Sequence, residues 1–484
     1  MRSVRSAALR LAVAGCAALA GCTVGPDYAR PQPPTTPAAF KELPPPGAAG
    51  AWKPAQPNDA TLRGKWWELY GEPELNALED KIAVSNQSLK AATEQYLAAT
   101  EQIRVARAAY FPTLGVTPAA SRTRLSNNQP NVVPGVTKMT YNAFILQGQA
   151  SWEPDLWGQV RRTIEQARAS AQASAADLAG VALSLHSELA LDYFQLRGLD
   201  LQRQLLDNTL ASDADYLKLT QVRFAGGVAT AVDVAQADTQ YRSVKAQAID
   251  VGVARAQFEH AIATLIGVPP AEFALPPHPL EVKIPPIPTG VPSALLERRP
   301  DVAGAERRVA AANAQIGIAI SAYYPNLTLT AAGGLEATAL SPLIGVHSLF
   351  WSLGASAFEL LFDGGRRHAL TQQARDLYEA QVATYRQSVL SAFQDVEDNL
   401  AAIRILADEA EAQDAAVEAA RLSLALSTKR YKGGVATYLE VLTAQTTQLA
   451  NERAQADVST RRCTASVQLI RALGGGWDTA QAPQ

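Results

Sequence analysis

The chain has 484 residues, of which 48% are hydrophobic and 18% are charged, and its formal net charge is −3. A weakly acidic chain lacks the excess of Lys and Arg that neutralises a phosphate backbone, which argues against a nucleic-acid partner. Beyond residue 22 no apolar run reaches the length of a membrane-spanning helix.

The first 22 residues have the features of a lipoprotein signal. Arg2, Arg5 and Arg10 form a basic start, and the apolar run over residues 12–20 is too short to cross a bilayer. The run ends in Leu19-Ala20-Gly21-Cys22, which is typical of a bacterial lipobox. We therefore expect residues 1–21 to be a removed signal peptide and Cys22 to be the lipid attachment site. The alternative is ordinary secretion, with a chance Cys at the cleavage point.

The processed chain would begin with a Pro-rich stretch, residues 22–65, expected to be a lipidated, extended tether. Its acyl and diacylglycerol lipid on Cys22 is the one non-protein group expected, and no cofactor is predicted. Removing three Arg and no acid takes the net charge from −3 to −6. A lipidated Cys22 leaves Cys463 without a disulfide partner, so Cys463 is expected to be a small core residue of a helix.

The rest of the chain is duplicated. Residues 109–114 (AYFPTL) return at 322–327 (AYYPNL), and residues 224–230 (FAGGVAT) return at 431–437 (YKGGVAT). Self-similarity of this kind predicts two copies of one structural unit. We place the first repeat at 66–280, a Pro-rich connector at 281–292, the second repeat at 293–477 and a disordered tail at 478–484.

Each copy has the same order of predicted elements: helix, β-hairpin, long helix, tight Gly-Gly turn and return helix. Absence of Pro and richness in Ala, Glu, Gln and Arg indicate the helices, and alternating hydrophobicity indicates the strands. The predicted helices are 74–110, 158–224, 231–266, 293–323, 365–431 and 438–473. The predicted strands are 113–125, 142–152, 326–331 and 350–358, with hairpin tips at 126–139 and 339–347.

Four strands with one apolar face cannot lie in a bilayer as an open sheet, because their edges would leave backbone groups without hydrogen bonds. Closure needs strands from other chains, so an oligomer is expected. In the second strand Gln147, Gln149 and Ser151 alternate with apolar residues, which predicts a wet lumen on that face. Each 67-residue helix would be about 100 Å long and, being highly charged, would project into the periplasm.

The sequence resembles the TolC/OprM outer-membrane efflux proteins, in particular their lipoprotein, NodT-like branch. The matching segments are residues 22–28 (CTVGPDY), 66–70 (WWELY), 295–301 (LLERRPD), 312–317 (ANAQIG) and 472–477 (ALGGGW).

The resemblance implies an α+β membrane channel. Three chains would form a 12-stranded outer-membrane β-barrel, four strands per chain, continuous with a periplasmic α-helical coiled-coil barrel. It also implies a homotrimer that works with a periplasmic adaptor protein and an inner-membrane efflux transporter of the RND type. The channel itself would conduct small molecules passively; export of polypeptides in a type I secretion system is an alternative.

The resemblance further places a periplasmic gate at Asp233, Tyr431, Leu439 and Glu440. The repeat alone pairs Asp233 with Glu440, so a trimer would carry six carboxylates around its axis and favour cations. Alternatively, both acids only solvate a first helical turn, where the helix dipole favours them. At two positions the chain departs from relatives, because Ala436 replaces an Arg and Thr443 replaces an Asp.

The two Gly-Gly turns are expected to dock the hairpins of the adaptor protein. Their residues are Gly226, Gly227, Gly433 and Gly434, and turn geometry alone is the alternative role.

Other functional classes have less support. The five His residues are scattered without metal-ligand spacing, so neither an enzyme nor a metal site is predicted. The pairs Trp66-Trp67 and Trp152/Trp157 could form a ligand platform. Packing and interfacial anchoring of the barrel are the favoured roles, especially for Trp152 near a strand end. The remaining alternative is a lipid-anchored periplasmic coiled-coil tether that does not conduct, which leaves the strand hairpins unexplained.

Overall fold

The computed structural model describes residues 23–37, 39–42, 64–126, 140–281, 284–285, 287 and 298–475. Cys22, the signal peptide, most of the first hairpin tip and the tail lie outside these residues. Clustering of contacts divides the chain into two units, one built around the strands and the other around the helical hairpins. Among the described residues the strand unit comprises those up to Pro31, 97–172 and 306–384, and the helical unit comprises the others.

The order of elements is the one that the sequence predicts, and it occurs twice. The first copy contains α1 (Pro73–Ser85), α2 (Gln87–Ala108), β1 (Thr113–Arg124), β2 (Thr140–Trp152), α3 (Gln159–Ala225) and α4 (Ala231–Leu265). The second copy contains α5 (Pro300–Ser321), β3 (Asn326–Ala337), β4 (Leu349–Phe358), α6 (Arg366–Lys432) and α7 (Tyr438–Ala472). Short 3-10 turns lie at Trp66–Tyr70, Pro270–Glu272 and Val346–Ser348.

The two copies match in length. Helices α3 and α6 both have 67 residues, and the return helices α4 and α7 both have 35. Each long helix begins and ends within one residue of its predicted bounds. None of the helices in the described part of the chain is both long and apolar enough to cross a membrane.

Three predicted elements have other bounds in the structure. The predicted helix 293–323 is interrupted at Arg299, so that α5 begins at Pro300, because the residue before a proline disfavours the helical conformation. The predicted helix 74–110 breaks at Asn86, whose side chain caps α2 by accepting from the Leu89 amide at 2.9 Å. Its Nδ2 also donates to the Leu265 carbonyl at 2.7 Å, a partner far along the chain.

Strand β3 also differs from its prediction, because it extends to Ala337 rather than ending at residue 331. Its Gly334 lies so close to β2 that an added Cβ would be 2.2 Å from the Leu146 carbonyl oxygen. The glycine therefore permits close strand pairing beyond the predicted end of the strand.

The sheet is antiparallel with the order β1-β2-β3-β4, so β1 and β4 are its edges. The register sets Gln147 opposite Thr117 and Gly334, and it sets Leu146 opposite Pro118 and Leu335. Polar and apolar side chains therefore occupy opposite faces, as predicted. Apolar residues remain uncovered in the single chain, with Leu114 81% exposed and Trp351 75% exposed.

The helical unit has a core of its own. The turn Trp66–Tyr70 packs into it, with Trp66 and Trp67 in edge-to-face contact at 5.7 Å and the Tyr70 hydroxyl 2.7 Å from Ser466 Oγ. Cys463 is buried in the same core. The predicted packing roles of Trp66, Trp67 and Cys463 are confirmed.

Candidate functional site

Both long helices end in the same backbone turn. After α3 the Val228 amide donates to the Arg223 carbonyl at 2.8 Å, and after α6 the Val435 amide donates to Arg430 at 3.1 Å. This Schellman arrangement needs a left-handed residue, and Gly227 (φ 75°) and Gly434 (φ 78°) supply it. Gly226 and Gly433, which precede them, do not have a positive φ. Their backbone conformation therefore does not require glycine.

Asp233 lies in the first turn of α4, where it completes a capping box with Thr230. Its Oδ2 accepts from the Thr230 amide and from the Thr230 hydroxyl, both at 2.8 Å. The Asp233 amide in turn donates to Thr230 Oγ1 at 3.2 Å. The carboxylate thus satisfies helix-end donors and remains partly exposed to solvent.

Glu440, at the equivalent position of the second copy, is engaged differently. Its Oε2 lies 3.0 Å from Arg430 Nη1, across the turn between α6 and α7. Thr437 makes no side-chain cap there, although the sequence spacing Thr437-x-x-Glu440 is that of a capping box. The two acids that the repeat pairs are therefore chemically inequivalent.

Tyr431 joins the two helical hairpins. Its ring is buried against Tyr438 at 5.8 Å, and the Arg223 guanidinium of the first hairpin lies over it at 4.5 Å. Arg223 Nη1 also donates to the Tyr431 carbonyl oxygen at 2.8 Å. A second link between the same two long helices is the 2.7 Å hydrogen bond between the hydroxyls of Tyr216 and Thr428.

The sequence analysis missed Arg223. The repeat could have identified it, because Arg223 and Arg430 precede the equivalent residues Phe224 and Tyr431. One arginine pairs within its own hairpin, whereas the other reaches into the neighbouring hairpin, a choice that the repeat does not encode.

The remaining gate candidates face solvent or their own helix. Leu439 is 54% exposed, and the apolar residues Val228, Val232 and Val435 near the same turns are also exposed. Thr443 donates its hydroxyl to the Leu439 carbonyl at 2.9 Å, so this hydroxyl is used within α7.

A second cluster of contacts lies in the strand unit, where the segment Thr23–Tyr28 packs on α3 and α5. The Val24 amide donates to the Trp157 carbonyl at 3.1 Å, Asn313 Nδ2 donates to the Pro26 carbonyl at 3.0 Å, and Tyr28 donates to Glu306. Burial and the Glu306 carboxylate raise the pKa of the Tyr28 hydroxyl, which keeps it a donor. We call residues 23–28 the strap.

Arg162 of α3 is the centre of the strap contacts. Its side chain is 4% exposed, and it donates to the Val24 carbonyl, the Gly25 carbonyl (3.2 Å) and Asp27 Oδ1 (2.8 Å). Gly25 (φ 93°) approaches Gly317 so closely that an added Cβ would be 2.5 Å from the Gly317 Cα. The residues next to Cys22 are thus fixed, although the sequence predicted only an extended tether.

In the described part of the chain, no group of three or more His, Cys, Asp or Glu side chains is arranged to hold a metal ion. The features that the structure does present are a sheet with two unpaired edges, two matched helical hairpins and a polar-aromatic link between the hairpin ends. These features define an outer-membrane channel of the duplicated, helical-hairpin class.

Comparison with known proteins identifies the family. The model of the outer membrane efflux protein family matches residues 78–268 and 291–475. The pyoverdine export outer membrane protein OpmQ of Pseudomonas aeruginosa is 33% identical over 428 residues, which cover 87% of this chain and 89% of OpmQ. The probable efflux pump outer membrane protein TtgC of Pseudomonas putida is 30% identical over 475 residues, covering 96% and 95% of the two chains.

The fold agrees with a solved channel structure. That of the outer-membrane channel OprN has a TM-score of 0.85 and 29% identity, and the match covers 94% of this chain and all of OprN. The chain belongs to the outer membrane efflux protein family.

The strap generates a prediction. Replacing Arg162 by Ala leaves two backbone carbonyls and Asp27 without their donor, so the strap should detach and protease cleavage within residues 23–37 should become at least several-fold faster. The cleavage rate of Arg162→Lys should lie between the rates of the wild type and Arg162→Ala, because an ammonium cannot reproduce the guanidinium fork. Cleavage rates can be measured by mass spectrometry on the purified protein.

The exposed Arg168 on the same helix provides the control, and Arg168→Ala should cleave at the wild-type rate. Equal cleavage of the Arg162→Ala and Arg168→Ala proteins would show that Arg162 does not hold the strap.

Proposed function

We propose that the chain is the outer-membrane exit duct of a tripartite efflux system. It conducts small molecules passively, and the energy comes from an inner-membrane transporter, of the RND type, linked through a periplasmic adaptor. The observation that carries the proposal is the four-stranded sheet, whose edges β1 and β4 have no partner strand among the described residues. No catalytic step is assigned to any residue.

Three chains satisfy the sheet edges. With four strands each they supply twelve, which closes a barrel wider than the eight-stranded kind whose interior side chains fill. The apolar face, with Leu114, Trp351 and Leu353, then meets lipid, and the face with Gln147 and Gln149 lines water. Helices α3 and α6, each about 100 Å long, belong to a periplasmic helical barrel.

We assign the lipid anchor to Cys22, after removal of residues 1–21. The fixed strap supports this assignment, because Thr23, which follows Cys22 in the chain, packs beside Gly158, a few residues after β2. The domain bounds remain as proposed from the sequence: tether 22–65, repeats 66–280 and 293–477, connector 281–292 and tail 478–484.

We assign the periplasmic gate to Asp233, Tyr431, Leu439 and Glu440, and we add Arg223. The Arg223–Tyr431 contact holds the two hairpins of one chain together. It takes the place of an ionic latch at residue 443, which the uncharged Thr443 cannot form. Asp233 and Glu440 set ion preference. Because Arg430 neutralises part of the Glu440 charge, Asp233 contributes the larger share.

The first prediction concerns conduction itself. The purified protein should conduct ions in planar bilayers and prefer cations, and the double variant Asp233→Asn, Glu440→Gln should lose most of that preference because its gate lacks carboxylates. Reversal potentials in a salt gradient measure this. A silent wild-type protein would favour the tether, and an unchanged preference would remove these acids from the gate.

The second prediction concerns the latch. Arg223→Ala removes the guanidinium over Tyr431 and its hydrogen bond to the Tyr431 carbonyl, so the closed state loses about 1–3 kcal/mol and the open fraction rises roughly fivefold or more. Single-channel recording measures the open fraction. The exposed Lys218→Ala on the same helix is the control, and an Arg223→Ala open fraction equal to that of the control would contradict the latch.

The third prediction concerns docking at the turns. Gly226 and Gly433 have ordinary φ, so Gly433→Trp should leave the turn intact while its bulk blocks an adaptor hairpin; Gly227 and Gly434 cannot be used because their φ is positive. Co-purification with the adaptor and export should fall at least tenfold, whereas conductance of the purified channel stays at the wild-type value. Undiminished co-purification of Gly433→Trp would assign the turns a purely structural role.

A further inference from the structure

Asp213 is a buried carboxyl group in the helical unit, on α3 and 12 residues before that helix ends. It is 1% exposed, and Gln445 of α7, 4% exposed, donates its Nε2 to Asp213 Oδ1 at 3.0 Å. The hydrogen bond joins the long helix of the first hairpin to the return helix of the second. Neither residue belongs to the gate described above.

The pair leaves two buried acceptors without donors. Asp213 Oδ2 and Gln445 Oε1 are both buried and both lack a hydrogen-bond partner. An unsatisfied buried acceptor costs free energy, and more so when it carries charge. A single proton on Oδ2 would satisfy both, because Oδ2–H can donate to Oε1 while Nε2–H donates to Oδ1. The acid and the amide would then form a cyclic pair with two hydrogen bonds.

No cation compensates the charge on Asp213. In the part of the chain that the structure describes, no Lys, Arg or His nitrogen lies within ion-pair distance of its carboxylate. On α4, Arg242 is paired with Asp238 at 2.7 Å, and on α6 and α7, Arg421 is paired with Glu452 at 2.9 Å.

Uncharged groups also lie near the Asp213 carboxyl. Gln240 of α4 and Tyr438 of α7 are two of them, and Tyr216, on the same helix as Asp213, lies near Tyr438. Burial raises the pKa of the Asp213 carboxyl to about 6, with the Gln240 amide acting in the opposite direction. The exposed charges Asp215 and Lys218 lie on α3 itself, on its solvent side.

The location connects the pair to the gate. Burial and the nearby Asp213 carboxyl raise the pKa of the Tyr438 hydroxyl. The Tyr438 ring packs against Tyr431, the residue under the Arg223 guanidinium. A bond from α3 to α7 at this level holds the same two hairpins that the Arg223–Tyr431 contact holds at their ends.

We propose that Asp213 and Gln445 form a proton-binding site that locks the two hairpins together in acid. The proposal rests on the proposed channel function and its gate. When the hairpins separate, Asp213 meets water and its pKa returns towards about 3.9. The locked state therefore binds the proton more tightly, so it gains stability as pH falls from about 6 towards 4 and loses it as pH rises through about 6. The gain is about tenfold for each unit by which the two pKa values differ.

The test uses the full-length lipidated protein in planar bilayers at about pH 7.5 and pH 5. The wild-type open fraction should fall about tenfold in acid. Asp213→Asn carries a permanent donor for Gln445 Oε1, so it should be closed at both pH values, as the wild type is in acid. In Gln445→Leu the side chain cannot accept a hydrogen bond from protonated Asp213, so the open fraction should no longer fall in acid. Asp215→Asn, with its exposed side chain, should behave like the wild type, and it retains every gate carboxylate.

Infrared difference spectra of the same proteins between these pH values should show a protonated carboxyl band that Asp213→Asn lacks. This readout does not need a conducting channel. If Asp213→Asn retains the wild-type acid response, or if its infrared difference spectrum equals that of the wild type, the proton site is refuted while the channel stands. A wild-type protein that shows the band but never conducts would instead refute the channel function.

Discussion

The need to hydrogen-bond every backbone group in a lipid environment governs this molecule. A four-stranded sheet has two edges, and an edge in hydrocarbon costs several kcal/mol for each open amide or carbonyl. Because β1 and β4 lie at opposite ends of the strand order, their open groups are available to β4 and β1 of neighbouring copies. Assembly is therefore part of folding for the strand unit, and the duplication serves it by supplying two hairpins from one chain.

The strap fixes the first described residues of the chain to the strand unit. Arg162 draws the first described residues onto α3 and α5, where two glycines, Gly25 and Gly317, meet with no room for a side chain. A flexible tether would leave the position of the proposed lipid relative to the strands undefined. With Cys22 lipidated as proposed, a fixed strap instead holds the lipid to the same unit whose strands enter the bilayer.

At the helix ends the two copies have diverged in chemistry while keeping one geometry. Both turns are Schellman motifs with a left-handed glycine, yet Asp233 caps its own helix and Glu440 pairs with Arg430. Arg223, the equivalent of Arg430, instead contacts Tyr431. Much of this fold can be predicted from the sequence, because Pro-free runs and Gly-Gly pairs are local signals. Asn86 and Arg223 were missed since their partners, Leu265 and Tyr431, lie far along the chain. The full length of β3 was missed for the same reason, because only the neighbouring strand shows why Gly334 is there.

The equal lengths of α3 and α6 have a consequence for how such a chain can change. Inserting one residue into either helix would rotate everything after it by about 100° and advance it by about 1.5 Å. Hydrogen-bonded partners such as Tyr216 with Thr428, or Asp213 with Gln445, would then lose their alignment. Length can therefore change only by compensated steps, with matching insertions in both repeats. Point substitutions escape this restriction, which is consistent with two halves that differ widely in sequence but share helices of 67 and 35 residues.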